Sequence, residues 1–225
     1  MSTLPERLRA LSDQHAGMLK PEIAEKMERH VAELRRDANV AGLTAGDRAP
    51  SFALQDQHGR TVSSVDALAR GPLVVSFFRG TWCPYCDVEL AALVSAYDEI
   101  RAAGAELVTI SPQSAANAAT YLAEHPVPFT ILVDPDANVA EQFRLAYTFP
   151  EYLRALYQDV FSNDLAVVNA AGTWRLPIPG RFVIDTDGVI ADAQVDPDYR
   201  SRPDPDETVA VLQRLRAKRT PVRLG

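Results

Sequence analysis

The sequence predicts an α/β fold in which a central mixed β-sheet is flanked by helices. Three short, continuous apolar runs have the character of strands buried on both faces: residues 73–78, 105–111 and 129–134. Helical patterns separate these runs, as in units that join parallel strands. A Thr-Asp-Gly turn between residues 181–185 and 189–195 then predicts an antiparallel hairpin, and a last helix follows over about 206–218.

Shorter elements are predicted around these strands. Two extended runs about a Gln-His-Gly turn indicate a hairpin within residues 46–64. The helical segments of the domain, apart from the last one, are predicted at 84–104, 114–124, about 137–146 and 150–161. A loop rich in Asp and Pro is predicted at residues 196–206.

Two amphipathic helices are predicted ahead of this domain, within residues 1–45. Three leucines in residues 4–11 have helical spacing, and a second apolar stripe surrounds Pro21. The stripe consists of Leu19, Ile23, Met27, Val31 and Leu34. We expect this N-terminal helical extension to pack onto the main domain, residues 46–220, or onto a second subunit.

Composition narrows the classes of partner. The chain has 225 residues, a formal net charge of −7 and 47% hydrophobic residues. Its acidity argues against nucleic acid or an anionic membrane surface as the main partner. No apolar run reaches membrane-spanning length and the start lacks a secretory signal, which predicts a cytoplasmic location. The histidines at 15, 30, 58 and 125 lack metal-ligand spacing and are predicted to be surface or loop residues, so neither a metal nor a cofactor is expected.

Both cysteines lie in one stretch, FFRGTWCPYCDVEL, at residues 77–90. Cys83 falls where the strand at 73–78 ends and a helix begins. Pro84 suits the first position of that helix because its missing N–H needs no partner there. A helix N-terminus lowers the pKa of a thiol placed on it. Cys86 follows one turn later on the same face, within reach of a disulfide, so the pattern predicts an attacking thiol at Cys83 and a resolving thiol at Cys86.

Alternative interpretations of this stretch remain open at this point. The two cysteines are either a redox pair, ordinary buried residues or half of a zinc site, although a zinc site needs four ligands and this pair supplies two. Arg79 is either a charge partner of the Cys83 thiolate or a solvated loop cation. Trp82 either covers the site or forms part of a docking surface for a partner.

Five segments of the chain follow one another in a familiar order. They are GDRAPSFALQDQHGRTVS, LVVSFFRGTWCPYCDVELAAL, LVTISPQS, FTILVD and LPIPGRFVIDTDGVI. Together they resemble the alkyl hydroperoxide reductase/thiol-specific antioxidant (AhpC/TSA) family of thioredoxin-like redoxins, over about residues 46–215. Within that family the chain is similar to the peroxiredoxin-like branch with a Trp-Cys-Pro-x-Cys motif. The resemblance implies a thioredoxin-like fold and an antioxidant thiol peroxidase.

Two positions of the family's peroxidase motif differ in this chain. Peroxiredoxins hold the attacking thiolate in Pro-x-x-x-Thr/Ser-x-x-Cys, and the resemblance implies that a hydroxyl and an arginine stabilise the reacting oxygens. Counting back from Cys83 places Gly80 at the hydroxyl position and Ser76 at the proline position. Thr81 lies one residue after that hydroxyl position and is the candidate to supply the hydroxyl in its place.

The family's arginine position differs as well. Three residues before the Phe of the FVID segment the chain has Pro179, where thioredoxins and related disulfide reductases carry a cis proline. Arg181 is close in sequence and is the candidate from this strand, while Arg79 is the candidate from the loop before Cys83. These departures favour dithiol–disulfide exchange on a peroxiredoxin-like scaffold.

The sequence therefore supports three hypotheses of function. The favoured one is a peroxiredoxin-like peroxidase, in which Cys83 reduces a hydroperoxide, Cys86 resolves the product and a thioredoxin- or glutaredoxin-like donor reduces the disulfide. The second is a thiol–disulfide oxidoreductase acting on protein or glutathione disulfides. The third is a redox-sensing or interaction module without turnover. The family resemblance also implies a possible homodimer.

Overall fold

The computed structural model describes residues 2–219 and confirms the alternation of strands and helices. The strands are β1 (Ala53–Asp56), β2 (Thr61–Ser63), β3 (Leu73–Phe77), β4 (Glu106–Ser111), β5 (Thr130–Val133), β6 (Ala146–Thr148), β7 (Arg175–Pro177), β8 (Gly180–Ile184) and β9 (Ile190–Val195). The helices are α1 (Leu4–Ala16), α2 (Pro21–Leu34), α3 (Ser64–Leu68), α4 (Pro84–Ala102), α5 (Ala115–Glu124), α6 (Asn138–Gln142), α7 (Glu151–Asp159), α8 (Leu165–Val168) and α9 (Pro205–Arg219).

The main sheet is mixed, as predicted, and has the order β2-β1-β5-β4-β3-β8-β9. Strands β3, β4 and β5 run parallel, and the flanking pairs are antiparallel. Val75 of β3 lies between Val108 of β4 and Phe182 of β8. Every residue of β3 is buried, because helices or other apolar segments cover both faces of the sheet at this strand.

Helix α4 is the element that presents the two cysteines. It starts with Pro84 at its first position, directly after Cys83. Its first turn carries an acidic residue and its last turn a basic one, as the helix dipole favours. The helix ends before Gly104, whose φ of 85° suits a glycine that terminates a helix. The inward face buries Leu90, Leu93 and Ile100 against the sheet.

Two hydrophobic clusters cover the two faces of the sheet. Phe77, Phe143 and Phe182 pack in one cluster with ring centroids 5.0 to 6.0 Å apart. Cys83 and Cys86 belong to the other cluster, together with the apolar face of α4 and much of α9. The N-terminal helices contribute to both clusters: α1 through leucines beside α4, and α2 through a face that contacts α7.

The prediction of a helix over about 137–146 is wrong in its second half. Helix α6 ends at Gln142, and Arg144 takes a φ of 59°, which turns the chain out of the helix. Residues 146–148 instead form β6, in which Tyr147 pairs with Leu176 of β7. The inserted helix predicted at 150–161 is present as α7 and lies between β6 and β7 in the chain.

The prediction that every histidine lies on the surface or in a loop is wrong for His30. This residue is only 3% exposed on α2 and packs against the rings of Tyr147 and Phe149. Burial first, and the nearby positive charge of Arg79 second, lower the pKa of His30 to about 4. The apolar stripe of α2 is therefore wider than the spacing indicated, because α2 faces the small sheet as well as α7.

The described residues also bear on membrane and metal binding. None of the helices within residues 2–219 combines the length and the apolar character needed to cross a bilayer. The same residues contain no group of three or more His, Cys, Asp or Glu side chains arranged to hold a metal ion.

Candidate active site

The structure places Cys83 at the N-cap of α4 and Cys86 in its first turn. The backbone N–H groups of Cys86 and Asp87 donate to the carbonyl of Cys83, at 2.9 and 3.0 Å. Both thiols are free, and they are 1% and 0% exposed. Cys83 lines a cavity that opens to solvent, whereas Cys86 lies beneath it. The first thiol is thus more enclosed than a helix N-terminus alone predicts, and solvent reaches it through this cavity.

Arg79 is buried beside the Cys83 sulfur, so the interpretation of a solvated loop cation is wrong. Its side chain is held between aromatic rings, with the guanidinium 4.9 Å from the Trp82 ring and 4.8 Å from the Tyr199 ring. Its Nη1 lies 3.8 Å from the Cys83 Sγ, and its Nη2 donates to the Tyr157 hydroxyl at 2.7 Å. In the described chain Arg79 has no ion pair with a carboxylate, so a thiolate at Cys83 is its natural counter-charge.

The two thiols have opposite protonation tendencies. The pKa of Cys83 is lowered to about 5, first by a hydrogen bond from the Cys86 thiol and then by the charges of Arg79 and Arg202, which together outweigh burial. The pKa of Cys86 is raised well above its usual value, first by burial and then by its hydrogen bond to Cys83 and that thiolate's charge. At neutral pH the pair therefore holds one thiolate, at Cys83, and one thiol, at Cys86.

A second buried charge cluster lies on the Cys86 side of the dithiol. Arg202, from the loop before α9, places its Nη2 3.4 Å from the Cys86 Sγ and its Nε 2.6 Å from a carboxylate oxygen of Glu89. Arg181 binds the other Glu89 oxygen at 2.8 Å, and the Ser76 hydroxyl donates to that same oxygen at 3.2 Å. Arg181 is thus turned toward Glu89 and has no direct contact with Cys83.

The hydroxyl of Thr81 does not face the thiols. Thr81 donates its backbone N–H and its hydroxyl to the side-chain oxygen of Gln113, at 2.6 and 3.1 Å. At the preceding position Gly80 has a φ of 149°, and a Cβ there would lie 2.2 Å from the indole nitrogen of Trp82. This close approach explains why the family's hydroxyl position is occupied by glycine in this chain.

The remaining predicted site residues lie around the dithiol in different roles. Trp82 is half-buried, stacks edge-on against Tyr157 and lines the cavity, and the exposed ring of Pro84 lies at the cavity rim. Pro179 is buried directly before β8. The expectation of a thioredoxin-type cis proline there is wrong, because residues 2–219 contain no cis peptide bond.

The cavity above Cys83 is partly built by the N-terminal segment. Its volume is about 470 Å³. One wall comes from residues 15–27, and another comes from the end of α7 and the residues after it. The side chains that line it include His15, Met18, Leu19, Met27, Arg79, Trp82, Tyr157, Phe161 and Tyr199. Most of these side chains are apolar or aromatic.

Several site residues could not be predicted from the sequence, because only the fold brings them close to the thiols. Tyr157 belongs to the inserted helix, and Tyr199 and Arg202 belong to a loop whose composition indicates only irregular structure. Glu89 carries the one available signal. It is an acidic residue on the inward face of α4, three positions after Cys86, and a buried carboxylate requires a cationic partner.

Comparison with known proteins identifies the family. The model of the AhpC/TSA family matches residues 45–193. The chain belongs to the AhpC/TSA family. It is 28% identical over 190 residues to chloroplastic peroxiredoxin Q of Sedum lineare, covering 82% of this chain and 86% of that protein. It is 35% identical over 101 residues to peroxiredoxin Bcp of Escherichia coli, covering 45% of this chain and 64% of that protein.

Solved structures give the same fold. Peroxidoxin BcpB from Mycobacterium tuberculosis superimposes with a TM-score of 0.60 at 23% identity, covering 79% of this chain and 99% of that one. A peroxiredoxin 6 mutant of Arenicola marina gives a TM-score of 0.62 at 16% identity, covering 81% of this chain and 80% of that one. The predicted thioredoxin-like fold is thereby confirmed. This AhpC/TSA member is a thiol-dependent, peroxiredoxin-like peroxidase and hence an oxidoreductase.

We predict that the alkylation rate of Cys83 in this AhpC/TSA protein follows a titration with a midpoint near pH 5. Only the thiolate reacts, so the rate should be high at neutral pH and fall as the pH drops through 5. Replacing Arg79 by Met should raise the midpoint by about 1 unit or more, because a buried opposite charge next to the sulfur is lost. Mass spectrometry after timed iodoacetamide labelling measures both.

The matched control for this measurement is Arg70→Met, which removes an exposed arginine that pairs with Glu106 far from the thiols. This variant should titrate like the wild type. A wild-type midpoint near 8.5, the ordinary value for cysteine, would rule out the proposed charge pairing. An Arg79→Met midpoint equal to that of the wild type would do the same.

Proposed function

We propose that Cys83 is the thiol that attacks the hydroperoxide and that Cys86 is the thiol that resolves the product. The observation that carries this proposal is the Cys83 sulfur at the base of an open cavity, 3.8 Å from a buried guanidinium that no carboxylate neutralises within residues 2–219. A thiolate is the reactive nucleophile, and here it is favoured at neutral pH.

The proposed reaction proceeds in three balanced steps. The Cys83 thiolate attacks one peroxide oxygen, the O–O bond breaks, and the alcohol leaves after gaining a proton while Cys83 becomes a sulfenic acid. Cys86 then attacks the Cys83 sulfur, a disulfide forms and water leaves. A dithiol donor of the thioredoxin or glutaredoxin type finally reduces this disulfide by exchange.

Arg79 is proposed to stabilise the charge that develops as the O–O bond breaks. Its buried Nε–H has no hydrogen-bond partner among residues 2–219, so the guanidinium retains a free donor near the sulfur. The Tyr157 hydroxyl fixes the guanidinium from the other side. Arg79 thus takes the place that a strand arginine has in the resemblance, and neither Thr81 nor Arg181 is needed for this role.

The second hypothesis, a general thiol–disulfide oxidoreductase, has less support. The family match and the peroxiredoxin relatives support a peroxidase rather than a general disulfide reductase. The cavity above Cys83 has room for a hydroperoxide. Three other expectations from the sequence stay predictions. They are the cytoplasmic location, the homodimer and the division of the chain near residue 45.

The cavity further supports an organic hydroperoxide as substrate. Among the described lining residues Arg79 alone carries a permanent charge, and Leu19, Met27 and Phe161 offer apolar surface. A water molecule occupies about 30 Å³ in the liquid, so a cavity of about 470 Å³ far exceeds the needs of hydrogen peroxide. The apolar part of a larger hydroperoxide fits against these walls.

We predict that Cys83→Ser lowers peroxide consumption by at least about 100-fold, since the nucleophile is lost. Cys86→Ser should still consume about one peroxide per chain in a single turnover and then stall before the donor-dependent steps. Both are measured by peroxide consumption with a thioredoxin system and, separately, without a donor. Peroxide consumption by Cys83→Ser at the wild-type rate would contradict the proposal.

We predict that Leu19→Trp lowers kcat/KM for cumene hydroperoxide about fivefold or more and changes that for hydrogen peroxide less than about twofold. The larger side chain fills space on the N-terminal wall of the cavity, which costs about 1 kcal/mol for a substrate that needs it. Val167→Trp, at an exposed position outside the cavity lining, is the control. Equal losses for both peroxides would argue against the apolar wall as a determinant of specificity.

A further inference from the structure

The side chain of Arg202 is fixed in place on three sides. Its Nε donates to Glu89 at 2.6 Å, and its Nη1 donates to the carbonyl oxygens of Tyr199 and Ser201. The remaining nitrogen, Nη2, lies 3.4 Å from the Cys86 sulfur. Because the residue is only 5% exposed, water does not compete for this contact. The guanidinium is therefore preorganised toward the second thiol before any reaction takes place.

The charges around Arg202 do not balance. Glu89 is shared between Arg202 and Arg181, and all three side chains are almost fully buried. Two guanidinium groups thus face one carboxylate, which leaves about one positive charge beside Cys86. Burying an uncompensated charge is costly unless an opposite charge forms next to it. The Cys86 sulfur is the group at hydrogen-bond distance that can supply that charge.

The Cys86 thiolate does not form in the resting protein. Burial first, and then the hydrogen bond to Cys83 and the charge of the Cys83 thiolate, raise the pKa of Cys86. The charge at Cys83 is lost once that residue is oxidised, since a sulfenic acid or a disulfide sulfur carries no charge. From that point no thiolate charge at Cys83 opposes the stabilising effect of Arg202 on Cys86. A Cys86 thiolate is needed in two steps, both after Cys83 has been oxidised. In the first it attacks the Cys83 sulfur, and in the second it leaves when the disulfide is reduced.

We propose that Arg202 is a catalytic residue that stabilises the Cys86 thiolate, with Glu89 and Arg181 as its positioning residues. The inference rests on the proposed function. In resolution, the Cys86 thiol loses its proton, its sulfur bonds to the Cys83 sulfur, and the displaced hydroxide takes up the proton as water. In the reductive step, a donor thiolate bonds to the Cys83 sulfur and Cys86 leaves as the thiolate beside Arg202.

The donor's second thiol completes the reductive step. It attacks the donor sulfur of the mixed disulfide, so the donor leaves as a disulfide and Cys83 is released as a thiolate. The Cys86 thiolate then takes up a proton. Two electrons pass from the donor to the protein, and no further reductant is required.

The test separates the chemistry of Cys83 from that of Cys86. In Arg202→Met at pH 8, oxidation of Cys83 by one equivalent of cumene hydroperoxide should slow far less than the Cys86 steps, because the Cys86 hydrogen bond and Arg79 still lower the pKa of Cys83. The Cys83 sulfenic acid, captured with dimedone and followed by mass spectrometry, should persist about tenfold longer or more. Reduction of the preformed disulfide by dithiothreitol should slow by a similar factor, because the leaving thiolate is less stabilised.

The control is Arg175→Met, which removes a partly buried arginine that pairs with Asp136 and Glu141 and has no contact with either cysteine or Glu89 among the described residues. It should leave all three rates unchanged. Arg202→Lys provides a second variant that keeps the charge near Glu89 and loses the planar donor group, and it should fall between the wild type and Arg202→Met. If Arg202→Met does not fold, Arg202→Lys decides the matter by the same three rates.

A pH profile distinguishes a catalytic role from a merely structural one. In the Cys83→Ser background the thiolate absorbance reports Cys86 alone, and adding Arg202→Met should move its midpoint upward by about 1 to 3 units. Unchanged resolution and reduction rates in folded Arg202 variants would overturn the inference, as would an equal slowing of Cys83 oxidation. If wild-type Cys83 does not react with peroxide, the proposed function fails. Reduction of a diamide-formed disulfide then still tests Arg202.

Discussion

The site depends on buried positive charge that a single carboxylate does not balance and that a sulfur anion helps to offset. Around the two thiols the described residues place three guanidinium groups, from Arg79, Arg181 and Arg202, and one carboxylate, from Glu89. A buried ion pair is by itself weak evidence of added stability, because removing two charges from water is costly. The thiolate at Cys83 satisfies this constraint at rest, and the same constraint favours the Cys86 thiolate in the resolution and reduction steps.

The fold delivers these charges from distant parts of the chain to one point. The loop after β3 carries Arg79, β8 carries Arg181, and the loop before α9 carries Arg202. The N-terminal part of helix α4 carries Cys83 at its N-cap, followed by Cys86 and Glu89, so its position sets the geometry of the site. The N-terminal segment and the residues about α7 then wall the cavity above Cys83. These walls limit access of solvent to the sulfur, which is only 1% exposed at Cys83.

Local patterns in the sequence predict the sheet, helix α4 and the cysteine pair, because periodicity and helix capping act over a few residues. They do not predict Arg202, whose contact with Cys86 spans 116 residues, or Tyr157, whose contact with Arg79 spans 78 residues. Counting back from Cys83 shows that glycine, at position 80, replaces the family's hydroxyl residue. Only the structure explains this replacement, because Trp82 approaches Gly80 too closely for a side chain there. Similarly, no local signal indicates that α2 buries His30 against aromatic rings.

Comparing the stability of the reduced and disulfide forms of the protein tests the charge balance most directly. A pKa of about 5 in the folded state, against about 8.5 unfolded, means that the Cys83 thiolate adds stability that is complete above pH 8.5 and lost as the pH falls through 5. Urea unfolding from pH 4 to 9 measures this contribution. We predict that the free energy of unfolding of the reduced form rises relative to that of the disulfide form as the pH rises from 5 to 8.5. A difference that does not vary with pH would contradict it.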